Sequence, residues 1–281
     1  MKKVAIITDS SAYLPDDIVE ALEIRVVPMT LHWEGESYRD GEDIRAEEFY
    51  DRLAKSDTLP TTSQTTIGEF QQLFQSLLDQ DYAVLALLIS SGISGTVESA
   101  LQAKDLFPGA PIVVMDSKLV SMALGFMVMT VARAAQSGAS LEECRALAEE
   151  VYPRIGVYFT VDTLKYLNKG GRINTAKRLL GAALNIKPIM EIRGGKIELV
   201  ESVRSRKKAL NRMLELTEKG IDGREPVRIS TFHAAAPEDN QSLLAEAVAR
   251  FNPIETVVSC VSPVIGTHTG PGTVSIAYMV G

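Results

Sequence analysis

Residues 90–96, Ser-Ser-Gly-Ile-Ser-Gly-Thr, follow an apolar run and lead into a helical pattern. Small hydroxyl residues and glycines at such a strand-to-helix corner suit an anion. The first turn of a helix offers unpaired backbone N–H groups and the positive end of its dipole, so a basic residue is not required. Ser94 reads at or near the helix N-terminus, where capping is its ordinary use, and Gly95 lets a ligand approach the backbone. The corner is not a P-loop, because GxxxxGK[ST] is absent. It is not a nucleophile elbow either, because Gly92-Ile93-Ser94-Gly95 lacks a residue between the serine and the last glycine.

Three further groups carry chemistry. Thr61, Thr62 and Ser63 follow Pro60 in a stretch that reads as a loop; turn hydrogen bonding is their ordinary use. His268 stands in Gly266-Thr-His-Thr-Gly-Pro-Gly272, read as a glycine-rich turn between strand patterns, while His32 and His233 end strand runs as ordinary polar residues. Arg172 lies just past the Gly170-Gly171 helix stop. Arg204, Arg206, Lys207 and Lys208 crowd a helix start, where cations oppose the dipole at a cost of a few tenths of a kcal/mol each. Such a cluster is usually a solvated face, yet its position favours a phosphate or acidic-protein site.

The chain around these residues is ordinary in composition. Its 281 residues suffice for one large or two modest domains, and a net charge of −7 argues against a whole-molecule nucleic-acid binder. Residues 165–212 nevertheless hold 13 Lys and Arg against three Glu, which points to a local anionic partner. Cys144 and Cys260 have neither CxxC spacing nor His neighbours, so no metal site is expected and a reducing cytoplasm fits. The N-terminal apolar stretch is too short for a secretory leader, and the longest uncharged segment, Leu119 to Ala132, is too short to span a bilayer.

Strand and helix patterns alternate up to about residue 155, which predicts a parallel α/β layer. Ile24 to Trp33 reads as one strand, Tyr82 to Ile89 as a buried strand, and Thr66 with Glu69 as a capping box. Beyond 155, Ile186–Ile192 and Lys196–Val203 form a hairpin around Gly194-Gly195, which implies a mixed sheet. The expected architecture is α/β with an N-terminal domain, residues 1–155, and a C-terminal domain, residues 156–281.

Taken together, "IITDSSAYLP", "PTTSQ", "SSGISGT", "DSKLVSMALG", "LKYLNKGGRIN", "LNIKPIMEIRGGKI", "VRSRKKAL" and "HTGPGTVSIAY" resemble, in this order and over nearly the whole chain, the DegV family. The resemblance implies a two-domain carrier, not an enzyme, with a long-chain fatty acid such as palmitate between its domains and no cofactor. Some members pass that acid to a separate fatty-acid kinase that makes the acyl phosphate; transient contact with a membrane surface is a further implied interaction. Carried over, it implies Thr62 and Ser94 as ligands of the carboxylate, Ser63 and Gly95 beside them, His268 close to the head group, and Arg172 and Arg204 in phosphate transfer or kinase docking. Thr65 stands where family members often have proline.

The residues fit such a ligand. Two hydroxyls and a helix N-terminus supply charge-assisted hydrogen bonds to a carboxylate. At ~0.8 kcal/mol per buried CH₂, about fourteen methylenes contribute on the order of 11 kcal/mol before ordering costs. Met122, Leu124, Phe126, Met127 and Met129, with Leu179, Leu180, Ala183 and Leu184, are expected tunnel walls, although core packing is their ordinary use. The alternatives are a serine hydrolase using Ser94, His268 and Asp9 or Asp116, a phosphate-binding enzyme built on Asp9, and a pure interaction module.

Overall fold

The structure is a computed structural model that describes residues 2–181 and 186–281. β1 (Val4–Asp9) is buried along its whole length, and Pro15 precedes a short helix, α1 (Asp16–Ala21). The stretch expected as one strand, Ile24 to Trp33, breaks at Pro28. Proline has no N–H for a ladder, and the two halves enter different sheets: β2 (Arg25–Val27) pairs with β1, whereas β3 (Thr30–Trp33) turns back through Glu34-Gly35 into β4 (Glu36–Arg39). Both turn residues have positive φ, 54° and 88°, as a tight two-residue hairpin requires.

After α2 (Ala46–Leu53), the stretch read as a loop forms a strand, β5 (Thr61–Ser63), antiparallel to β3, with Leu31 opposite Thr62. The expected capping box opens α3 (Ile67–Asp79). β6 (Ala83–Leu88), α4 (Thr96–Lys104), β7 (Ile112–Asp116), α5 (Ser121–Gln136) and α6 (Leu141–Val151) complete this half. The parallel sheet runs β2-β1-β6-β7. Its central strands are buried on both faces, β6 with apolar residues throughout and β1 with apolar residues up to Ile7, because α3 and α4 cover one face and α5 and α6 the other.

The second half contains β8 (Ile155–Thr160), α7 (Lys165–Lys169), a 3-10 segment (Asn174–Leu179), β9 (Lys187–Arg193), β10 (Lys196–Val203) and α8 (Arg206–Ile221). β11 (Val227–His233), α9 (Pro237–Phe251), β12 (Glu255–Cys260), α10 (Pro263–Thr269) and β13 (Val274–Val280) follow. The mixed sheet has the order β10-β9-β8-β13-β11-β12. Alternate side chains separate its faces: Ile189, Ile229 and Ile276 pack with α8 and α9, while Val157 and Phe232 join the core of the first half. The expected turn around His268 is instead the end of α10, which stops at Gly270 (φ 78°).

The largest apolar cluster runs through both halves, joining Leu85, Met122 and Phe126 to Val157, Phe232 and Met279. α5 lies within it, touching β1 and β6 on one side and β8 and β13 on the other. A helix covered on both sides must be apolar all round. That accounts for Met122, Leu124, Phe126, Met127 and Met129, which are core residues and not tunnel walls.

Asp40, just after β4, ties this core to α10. Its Oδ2 accepts the Ser10 hydroxyl (2.6 Å) and its Oδ1 the Val264 N–H (3.3 Å). Burial pushes its carboxyl up to about 6. The folded state therefore holds this proton more tightly than the unfolded chain, and stability falls as pH rises from about 4 to about 6. The shift corresponds to about 3 kcal/mol. Across urea titrations from pH 4 to 7, Asp40→Asn should gain up to that amount relative to wild type; a pH-independent difference would show that Asp40 does not titrate there.

Candidate functional site

A cavity of about 90 Å³ lies between the mixed sheet and the loops of the first half. Its walls are mainly apolar. Val157 and Phe159 of β8, Ile192 of β9, Ile197 of β10 and Phe232 of β11 point into it from the sheet, and Val264 and Ile265 face it from α10.

Its polar lining is a connected group. β5 supplies Thr62 and Ser63, the corner after β6 supplies Ser94 and Gly95, α10 supplies His268, and the loop after α7 supplies Arg172. His268 Nε2 lies 2.8 Å from Thr62 Oγ1. Arg172 donates from Nη1 to the Gly170 carbonyl (2.5 Å) and from Nε to the Ile93 carbonyl (3.3 Å), next to Ser94. Gln64 closes the ring against Gly95, where a Cβ would stand 2.9 Å from its amide nitrogen. Gly95 and Gln64 are exposed and the other members half-buried, so this group forms the cavity's mouth.

Several sequence expectations change here. Gly95, not Ser94, occupies the N-cap position of α4; the Ser94 hydroxyl instead shares a 2.9 Å hydrogen bond with Thr96 Oγ1. Arg172, which the resemblance places in phosphate transfer or kinase docking, lines the cavity, and no carboxylate among the described residues pairs with it. Arg204 is exposed and outside the cavity lining, whereas its neighbour Arg206 is committed to Asp239 (2.7 Å). Leu179 and Leu180 are also outside the lining, and Ala183 and Leu184 lie outside the described residues. Thr65 is buried and donates to the Pro28 carbonyl (2.9 Å), so a hydrogen bond anchors the loop where proline would have stiffened it. His32, assigned no role from sequence, holds Ser63 through a 2.9 Å hydrogen bond.

The electrostatics favour an uncharged imidazole. Burial, and secondarily the Arg172 charge, pull His268 down to about 4. Its Nδ1 is buried without a partner. Gly170 packs against this nitrogen so closely that no other residue fits there. When the proton sits on Nε2, His268 donates to Thr62, and the threonine hydroxyl hydrogen is then free for an acceptor in the cavity.

A hydrolase relay is not assembled. His268 contacts Thr62 and not Ser94. Asp9 accepts the Ser11 and Ile89 N–H groups (3.0 and 2.7 Å), and Asp116 accepts the Ser91 hydroxyl (2.5 Å), so neither orients the imidazole. Among the described residues no cluster of three His, Cys, Asp or Glu side chains could hold a metal, and no helix is long and apolar enough to cross a membrane.

NMR titration of the imidazole should show His268 neutral down to about pH 5. Removing the neighbouring cation in Arg172→Ala should raise its midpoint, which should stay below the ordinary 6.5 because burial is the larger cause. A wild-type midpoint near 6.5 would contradict the buried setting.

The family model described as "Uncharacterised protein, DegV family" matches residues 3–280. A DegV domain-containing protein of Listeria innocua is 36% identical over 280 residues, 99% of each chain. Two solved structures share the fold: a DegV family protein from Thermus thermophilus, described by its fatty-acid binding, and DegV of Bacillus subtilis, described as a fatty acid binding protein. The first has a TM-score of 0.94 at 32% identity and covers 99% of this chain and 100% of its own. The second has a TM-score of 0.92 at 33% identity and covers all of both chains. The α/β architecture, the family model and the full-length relatives agree, and the chain belongs to the DegV family.

Proposed function

We propose that this protein is a cytoplasmic carrier that binds a long-chain fatty acid between its two halves, residues 1–155 and 156–281. The acid's carboxylate sits at the mouth formed by Thr62, Ser63, Ser94, Gly95 and His268, and its tail lies along the apolar face of the mixed sheet. The observation that carries this reading is the cavity's composition: a polar mouth leading into a mainly apolar interior. The fatty-acid-binding relatives of the same fold support it.

Each group at the mouth has a distinct part in holding the head group. Thr62, accepting from neutral His268, turns its own hydroxyl hydrogen to the carboxylate. Ser94 and the first turn of α4 offer further donors. Arg172 adds a guanidinium without an acidic partner, so the acid is held by one cation as well as by hydroxyls. The tail supplies the larger share of affinity, since burial is worth ~0.8 kcal/mol per methylene.

The carrier then presents the acid to a separate kinase that phosphorylates the carboxylate. Arg204 supports this part of the reading: it is exposed and has no ion-pair partner among the described residues. On this reading the mouth is where the reacting carboxylate meets the partner's active site.

Lipid extraction followed by mass spectrometry of the purified protein should find fatty acid from the expression host. Thr62→Ala combined with Ser94→Ala should lower that occupancy by tenfold or more, since two charge-assisted hydrogen bonds are worth about 1.5–3 kcal/mol each; unchanged lipid content would remove these two residues from the site. Arg204→Ala should keep its lipid while acyl-phosphate formation with a fatty-acid kinase declines. Full acyl-phosphate formation by that variant would exclude Arg204 from docking.

A further inference from the structure

Seven serine and threonine side chains line the cavity. Six of their hydroxyls are already engaged. Thr62 meets His268 (2.8 Å), Ser63 meets His32 (2.9 Å) and Ser94 meets Thr96 (2.9 Å). Ser121, Thr269 and Thr273 donate to the carbonyls of Val120, Ile265 and Gly270 (2.5, 3.3 and 2.7 Å). The seventh, Ser275, has no hydrogen-bond partner for its hydroxyl among the described residues, although the residue is only 1% exposed.

The sheet register sets the surroundings of this hydroxyl. Ser275 lies in β13 directly between Phe159 of β8 and Phe232 of β11. Residues opposite each other in antiparallel strands share a face, and both phenylalanines line the same cavity. Val274 and Ile276 turn to the other face, in the cluster with α8 and α9. Ser275 is two residues beyond Thr273 on the same face, about 7 Å along the strand. Thr273 is tied to Gly270 at the end of α10, the helix that carries His268. The Ser275 hydroxyl therefore stands in the sheet wall beyond the mouth, where the reading above lays the tail and not the head group.

A plain alkyl chain offers this hydroxyl nothing. The two phenyl rings keep its surroundings apolar, where an unpaired polar group is costly and a completed hydrogen bond is strong. A hydroxyl on the chain both donates and accepts, so it can pair with Ser275 in either sense. A site that sets a buried polar group against a substrate hydroxyl discriminates against the analogue lacking it.

We propose that Ser275 is a specificity-determining residue that favours long-chain acids carrying a hydroxyl on the chain over unsubstituted acids of the same length. The inference rests on the fatty-acid reading above and deepens it by naming the ligand class. Phe159 and Phe232 hold the chain on either side, and Ser275 supplies the one polar contact between them.

The test offers delipidated protein hexadecanoic acid mixed with an equal amount of one monohydroxy isomer, the hydroxyl being stepped along the chain from one mixture to the next. Native mass spectrometry identifies what is retained. Wild type should prefer at least one isomer by about tenfold, the worth of one buried hydrogen bond. Ser275→Ala should abolish that preference and retain more of the unsubstituted acid than wild type does, because no unpaired hydroxyl then faces the tail. Ser275→Thr keeps the hydroxyl and should keep the preference. Wild-type protein that binds hexadecanoic acid and prefers no isomer, or a preference that survives in Ser275→Ala, overturns the assignment and leaves fatty-acid binding intact. Wild-type protein that retains neither kind of acid overturns both.

Discussion

The hydrogen bond between Thr62 and His268 joins residues 206 positions apart in the chain. One partner sits on a three-residue strand of the first half and the other in the last turn of a short helix returning from the second. Neither element contains enough of its own sequence to form alone. β5 exists because β3 pairs with it. α10 is set by Asp40 at its start and by Gly270 at its end. The mouth of the cavity is thus a product of tertiary structure, and its residues converge only when both halves have folded against each other.

That convergence explains the charge states at the mouth. A histidine enclosed by protein and placed beside a guanidinium loses its proton, because both the loss of water and the nearby charge disfavour the imidazolium. Among the described residues Arg172 has no acidic partner and is instead held by two backbone carbonyls. The result is a site with one cation, several hydroxyls and a neutral ring, facing a mainly apolar interior. An amphiphilic anion matches this arrangement in both its halves, whereas a compact polyanion would leave most of the cavity wall unused.

Much of this was readable from sequence where the signal was local. The run Ala83–Leu88 announces a strand buried on both faces, and Thr66 with Glu69 announces the helix they cap. The motifs around Thr62, Ser94 and His268 pointed to the family and to residues that line one cavity. Features set by distant partners were not readable. A three-residue strand such as β5 has no period to detect. Pro28 divides an apolar run whose two parts belong to different sheets. Gly266, Gly270 and Gly272 disguise α10 as a turn. The methionines of α5 look equally suited to a tunnel wall or a core, and only their position between two sheets decides for the core. Arg172 was seen as a basic residue, but its approach to His268 depends on Gly170 leaving room for the ring.

The placement of α5 also bears on how a ligand could reach the cavity. Because this helix packs on both sheets within one continuous apolar cluster, swinging one half away from the other would expose that cluster to water. Proteins with a small polar seam between lobes hinge readily; a large apolar seam resists it. On the proposed reading, the acid would pass through local opening of the loops around the mouth without parting the two halves.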